Sequence, residues 1–270
     1  EGQNYFALYS EGTKSARFNT TEPPGYPGDF ADAVYVKPEK LKNYEVGAKN
    51  SFLDSRLRTS LAIFYMDVKD QQQSAQLPNS TISFTQNVSK SEVTGFELEV
   101  FAAMTERLSA NLGIGYADHE YKNNFVPGSS LDRRIVNGRS LEGKTSVGVP
   151  KTTVVAGLAY TMPLFSQYEF STRMDVSYRS KAYIDLANQA YVGDSTLVNL
   201  WADFGRDWWT VSVFARNLFE DETSPGNFSG TSTCSYRNAA FTTFTSANQR
   251  CSGLGVSRGR EVGLSAALKF

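Results

Sequence analysis

Phe170-Ser171-Thr172-Arg173-Met174-Asp175-Val176-Ser177-Tyr178 is the stretch that decides the fold. Phe170, Thr172, Met174, Val176 and Tyr178 alternate with Ser171, Arg173, Asp175 and Ser177. An extended strand turns successive side chains to opposite faces, so one face here is apolar and the other carries charges and hydroxyls. An amphipathic helix would instead repeat its apolar residues at three and four positions.

The same period recurs outward in both directions. Leu108, Ala110, Leu112, Ile114 and Tyr116 alternate with Ser109, Asn111, Gly113 and Gly115. Phe96, Leu98, Val100 and Ala102 alternate around Glu97 and Glu99. Near the end, Val262, Leu264, Ala266, Leu268 and Phe270 alternate with Glu261, Gly263, Ser265 and Lys269. Weaker versions lie in residues 5–12, 44–52, 57–68, 152–160, 197–204 and 209–216. Together they predict about ten strands, each near or above the ~9–11 residues that cross a bilayer at a tilt.

The connections alternate in length. Short ones fall at 53–56, 103–107, 162–167 and 205–207. Long ones cover 15–40, 70–90, 118–150, 180–195 and 218–257, rich in Asn, Ser, Thr, Gly and Pro. Every long connection therefore lies at one end of the strands, which is the up-and-down pattern of an antiparallel transmembrane β-barrel. A soluble sandwich has no reason to sort its loops in this way.

Composition agrees once it is read in that light. The 270 residues carry a net charge of -1, 20% charged side chains and a mean hydropathy of -0.36. No run approaches the ~20 apolar residues of a membrane helix, but a barrel hides its apolar surface in alternate positions and stays polar on average. Aromatics reach 13%, and Tyr116, Tyr160, Tyr178, Trp208 and Trp209 fall near strand ends, where amphipathic rings meet headgroups. The balanced charge carries no nucleic-acid footprint. Cys234 and Cys251 read either as a loop disulfide of an oxidising compartment or as two unpaired thiols, with the bridge as the expectation.

Five segments resemble the C-terminal barrel of TonB-dependent outer-membrane receptors. They are Pro38-Glu39 followed by Tyr44-Glu45-Val46-Gly47-Ala48-Lys49, then Leu61-Ala62-Ile63-Phe64-Tyr65-Met66-Asp67. Next come Asn87-Val88 with Val93-Thr94-Gly95-Phe96-Glu97-Leu98-Glu99, and Arg216-Asn217-Leu218-Phe219-Glu220-Asp221. The last is Arg258-Gly259-Arg260-Glu261-Val262, leading to a terminal Phe270. The resemblance implies a fragment, residues 1–270, of a 22-strand barrel in the bacterial outer membrane. It implies import of a scarce ligand, such as a ferric siderophore, driven through TonB. Implied partners are outer-membrane lipid, the small-molecule ligand, a plug domain of the same full-length chain, and the TonB complex through an N-terminal part. Phe270 would be read by the barrel-insertion machinery.

Nothing in the sequence reads as an active site, and no metal or cofactor is expected. His119 is the single histidine; it reads as a surface residue, the alternative being a role in a protease of the omptin type. Such a protease and a passive channel are the alternatives to energised import. The charges Glu45, Lys49, Arg58, Glu97, Glu99, Arg173, Asp175, Arg179, Glu261 and Lys269 share the inward face. Glu97, Glu99, Arg173, Asp175 and Arg179 are expected to face the lumen and plug, or to pair across neighbouring strands. Gly47, Gly95, Gly113, Gly115, Gly157 and Gly263 fall on that face too, leaving room for a plug or permitting bends. Ligand contacts are expected from the outer loops. Phe228, Tyr236, Arg237, Phe241, Phe244 and Arg250 form one set beside the cysteines, and Arg133, Arg134 and Arg139 a second. Aromatic and guanidinium groups suit an aromatic or anionic chelate, and loop–loop packing is the competing reading.

Overall fold

The computed structural model describes residues 2–20, 34–76, 83–122, 141–165, 167–184, 188–223, 228–237, 244–254 and 257–269. In chain order the strands begin with β1 (Gly2–Lys14), β2 (Arg17–Phe18), β3 (Tyr35–Val36), β4 (Glu39–Phe52) and β5 (Leu57–Gln76). There follow β6 (Ser83–Ala103), β7 (Leu108–Tyr121), β8 (Thr152–Leu164), β9 (Tyr168–Arg179), β10 (Ala182–Tyr183) and β11 (Tyr191–Val192). The last are β12 (Ser195–Arg206), β13 (Trp209–Arg216), β14 (Phe228–Arg237), β15 (Phe244–Leu254) and β16 (Glu261–Leu268). Ten of them form one antiparallel sheet in the order β1-β4-β5-β6-β7-β8-β9-β12-β13-β16, with each strand beside its predecessor in the sheet. The other six make three two-stranded ribbons.

Directly paired residues share a face, so the register shows what each side presents. One row runs Tyr5, Ala48, Leu61, Leu98, Ile114, Val154 and Tyr178. Two rows further toward the short turns run Phe52, Leu57, Ala102, Ala110, Leu158, Met174, Leu200, Ala215 and Val262. This face stays uncovered: Val46 is 55%, Ile63 50% and Leu264 72% exposed. In water such a surface would aggregate; against hydrocarbon it is satisfied. Tyr9, Tyr44 and Tyr65 ring its long-loop end, with centroids 5.1 and 6.3 Å apart. Tyr168, Phe204 and Trp209 ring the short-turn end at 5.5, 6.2 and 5.7 Å. Tyr168 and Tyr178 of β9 are ten residues apart, ~33 Å along the strand and ~25 Å along the normal at a ~40° tilt, the height of the apolar band of such barrels.

The sheet continues beyond the band. β5 and β6 have 20 and 21 residues, so much of the segment 70–90, expected as loop, is a paired hairpin. Gln71, Gln72 and Gln73 pair with Ser89, Asn87 and Gln86. Above the membrane Gln71, Gln72 and Gln73 put polar side chains on both faces, with Gln72 buried and its Nε2 donating to the carbonyls of Ser15 and Lys37 at 2.9 and 3.0 Å, which removes the alternation that betrays a strand in sequence. β14 and β15 also lie unannounced inside the expected loop 218–257.

At the opposite end the turns are tight. Leu53, Asp54 and Ser55 take φ of 54, 53 and 67°, left-handed values that non-glycine residues rarely adopt. Arg56 ties this turn to the next, its Nε and Nη2 donating to the carbonyls of Ala103 and Met104 at 3.0 and 2.6 Å.

Candidate functional site

The polar face and the outer loops above it are where chemistry can occur. Gly47, Ala62, Glu97, Gly115, Thr153 and Arg179 share one row, and Lys49, Ser60, Glu99, Gly113, Val155 and Ser177 the next. Arg58, Phe101, Asn111, Gly157, Asp175 and Asn199 follow, and then Ala159, Arg173, Trp201, Phe214 and Gly263. All ten charges assigned to one face from sequence do share this parity.

Their partners differ from the expectation of pairing across strands. Glu97 and Glu99 face Ala62, Ser60 and two glycines, too small to offer a counter-charge. Arg173 donates to Asp175 two residues along its own strand, at 2.9 Å. Arg216 pairs with Glu261 across strands on this face, at 3.4 Å. Two other cations lie over rings instead, Lys49 over Phe6 at 5.9 Å and Arg58 over Phe101 at 4.6 Å, while Arg216 also lies over Phe214 at 4.9 Å beside its bond to Glu261. For Lys49 and Arg58 such contacts hold a cation against the wall without a carboxylate. A cavity of about 700 Å³ opens here, lined by Lys49, Arg58, Glu99, Phe101, Asn111 and Val155 among others.

The glycines have a more specific use than room for a plug. A Cβ on Gly47 would lie 2.4 Å from the Phe6 ring, on Gly95 2.5 Å from Phe64, and on Gly263 2.3 Å from Phe214. Each glycine seats a ring from the adjacent strand flat on the sheet. Gly157 does the same for Asn111, whose Oδ1 would be 2.4 Å from an added Cβ.

Above the polar face the outer segments close over one another. Val36, Tyr121 and Leu141 are each only 1% exposed, with Ala182, Ile184 and Val192 also buried. Backbone bonds knit them: Tyr121 N–H to Lys144 O, Gly143 N–H to Tyr121 O and Gly148 N–H to Tyr183 O, at 2.8–2.9 Å. Asn188 exchanges two bonds with the backbone of Thr145, at 2.8 and 3.0 Å. His119, expected at the surface, is buried here. Its Nδ1 accepts the Ser146 N–H at 3.1 Å, its Nε2 lies 3.3 Å from Ser146 Oγ, and its ring meets Tyr121 edge-on at 4.8 Å. The signal that could have placed it is parity: His119 shares the polar face with Val93 and Gly95 rather than the lipid side.

The motif residues prove to be ties. Asn217 is buried at φ 49°. It takes Asn199 Oδ1 on its N–H, donates through Nδ2 to the carbonyls of Asp221 and Arg258, and accepts the Asp221 N–H, all at 2.8–3.0 Å. Asp221 in turn accepts the N–H groups of Thr196 and Thr223 at 2.5 and 2.8 Å. Burial is the largest single influence on that carboxyl and pushes it up; bonds from Thr223, Thr196 and Ser195 together outweigh it and leave it below the ordinary value. Asn87 spans Lys37 and Asp70 with three bonds of 2.7–2.9 Å, and Glu39 accepts the Gln72 N–H at 2.7 Å.

Of the loop residues expected to meet ligand, Arg133, Arg134, Arg139 and Phe241 lie outside the described residues. Phe228, Tyr236, Arg237, Phe244 and Arg250 lie on the ribbon β14–β15, whose backbone register pairs Phe228 with Leu254, Tyr236 with Thr245 and Arg237 with Phe244. Cys251 pairs in register with Ser232, and Cys234 falls in an irregularity of the same ribbon.

Comparison with known proteins gives this architecture its family. The family model described as "TonB dependent receptor-like, beta-barrel" matches residues 1–218. The probable TonB-dependent siderophore receptor PiuA of Acinetobacter baumannii is 29% identical over 169 residues, covering 60% of this chain and 20% of that protein. The ferric yersiniabactin uptake receptor FyuA from Yersinia pestis superposes with a TM-score of 0.69 at 19% identity, over 99% of this chain and 35% of that one. The crystal structure of PiuA gives 0.63 at 20% identity, over 98% of this chain and 33% of that one. At these identities the superpositions carry the fold. The chain thus spans a fifth of its curated relative and about a third of these two receptor structures. Residues 1–218, the ten-strand sheet and the lipid-matched face lead to one conclusion: the chain belongs to the TonB-dependent receptor family, as part of its outer-membrane β-barrel.

Proposed function

We propose that the chain is the C-terminal arc of a 22-strand barrel whose parent receptor imports a ferric siderophore with energy supplied through TonB. The observation that carries this reading is the family match over residues 1–218, joined by the likeness to the siderophore receptor PiuA and to the ferric yersiniabactin uptake receptor FyuA. Members of this family are transporters rather than enzymes, which removes the protease alternative.

In this reading the polar face lines the lumen, and Glu97, Glu99, Arg173, Asp175 and Arg179 meet the plug or passing solute. The packed outer segments hold the ligand-facing loops, with Arg133, Arg134, Arg139 and the β14–β15 residues as contacts and Cys234–Cys251 as a stabilising bridge. Ligand bound outside would signal to the plug, and traction on the plug would open the lumen. Strand β16 with Phe270 would engage the insertion machinery.

The test is uptake of radiolabelled ferric siderophores by cells lacking their own receptors and expressing the full-length protein, with and without TonB. Uptake that disappears without TonB supports energised import. Uptake that persists without TonB overturns it and leaves a passive channel.

A further inference from the structure

Both ring nitrogens of His119 are held by a single residue of the outer segment. The Ser146 N–H donates to Nδ1 at 3.1 Å, and Nε2 lies 3.3 Å from Ser146 Oγ. A backbone N–H can only donate, so Nδ1 must keep its lone pair. The ring proton then sits on Nε2, directed at the Ser146 hydroxyl, and the bound imidazole is neutral.

A proton on Nδ1 would set two N–H groups against each other across that 3.1 Å contact. It would also charge a side chain that is only 8% exposed. Burial holds the imidazole below its ordinary value, and a backbone hydrogen bond and the Asp118 charge oppose this without reversing it. The surroundings supply little relief. From β6 come Val93, paired with His119, and the flanking Ser91 and Gly95, none of which titrates in the acid range. Tyr121 meets the ring edge-on at 4.8 Å and itself feels the charge of Glu39. On β7 the neighbouring carboxylates are engaged elsewhere, Asp118 with Lys151 at 2.5 Å and Glu120 with Lys122 at 2.7 Å. The outer segment carries Glu142 and Lys144.

The contact lies where that segment meets the polar face. On one side of Ser146, Thr145 is tied to Asn188 and the Lys144 carbonyl accepts the Tyr121 N–H; on the other, the Gly148 N–H donates to Tyr183.

We propose that His119 is an acid-sensitive latch: neutral, it clamps residues 144–148 onto the polar face at the outer end of β7, and protonated, it releases them. The outer packing then loosens in mildly acidic surroundings while the spanning strands keep their ladder. A latched ring takes a proton less readily than a released one. The latch is therefore fully held above the ordinary histidine value, about 6.5, and weakens as pH falls below it. This device does not depend on which ligand the receptor carries.

The experiment follows amide hydrogen exchange in the purified full-length receptor in detergent, with protection taken relative to the intrinsic rate at each pH. Heat-modified gel mobility verifies that each variant is a folded barrel. Between about pH 7.5 and about pH 5, protection at residues 144–148 should fall by up to about 30-fold, the limit reached when the latched ring takes no proton. Ladder amides of residues 112–116 in β7 should not change over that range. His119→Gln offers an acceptor and a donor without a titrating group and should remove the fall; His119→Asn repeats the test where the glutamine variant does not fold. Ser146→Ala keeps the N–H and should retain the fall. Protection that stays level in the wild type overturns the proposal. A fall that survives in the neutral variants also overturns it, and assigns the response to carboxylates such as Glu142 or Asp118.

Discussion

The membrane-spanning part of the sheet and the outer segments above it are stabilised in opposite ways. In the spanning part, Val46, Ile63 and Leu264 stand exposed, and order comes from an uninterrupted backbone ladder with lipid covering the apolar face. Above it, Val36, Tyr121 and Leu141 are almost wholly buried among other side chains, as in a small soluble domain. One chain thus uses two solvents. The spanning part is sensitive to polarity at a given depth, while the outer part is sensitive to lost volume.

The sharpest way to break this contrast is Tyr121→Ala. A buried ring replaced by a methyl should cost about 3–5 kcal/mol in the outer packing, read as faster hydrogen exchange at residues 141–148 with the barrel ladder unchanged. Equal loss of protection across both regions would mean they are one cooperative unit. Ile63→Arg tests the other side: a guanidinium in the apolar band should cost about 2–4 kcal/mol of folding into lipid, measured by urea titration in vesicles. Its effect should vanish in the outer segments.

Asn217→Ala sits at the junction, where four bonds tie Asn217 to Asn199, Asp221 and Arg258. Loss of buried amide bonds should cost about 1–3 kcal/mol, seen as increased proteolysis beyond residue 217 with intact strands below. The smallest effect is that of pH on Asp221. Its folded-state value lies below the unfolded one, so its contribution is fully present above pH ~4 and is lost as pH falls through the folded value. Acidification should loosen the Asn217 junction before it affects the spanning strands, and Asp221→Asn should abolish that pH dependence.

The spanning part was legible because hydrocarbon on one side and polar groups on the other imprint a strict period of two. Phe170 to Tyr178 showed both faces, and the charges grouped together from their spacing share one face of the sheet. Strands outside the band were hidden for the converse reason: Gln71, Gln72 and Gln73 pair in a ladder but are polar on both faces, with Gln72 buried against Ser15 and Lys37. His119 was misread because a lone polar residue near a loop looks exposed until Ser146 and Tyr121 are brought beside it. The girdle residues Tyr9, Tyr44 and Tyr65 went unremarked, since their alignment depends on a register spanning three strands. The motif asparagines were recognised, but sequence could not say that Asn87 and Asn217 tie backbone segments together rather than touch ligand.

The glycine seats carry a consequence for assembly. A one-residue error in strand pairing turns apolar side chains to the wrong face and is heavily penalised. A two-residue error keeps every face correct, and binary patterning alone is blind to it. The seated rings are not. A shift of two would set Phe6 against Glu45 or Lys49, Phe64 against Val93 or Glu97, and Phe214 against Glu261 or Ser265. Each ring would then meet a side chain where the native pairing offers bare backbone. Spread over β1–β4, β5–β6 and β13–β16, these ring-and-glycine pairs act as index marks that distinguish the native alignment from its nearest plausible mistakes.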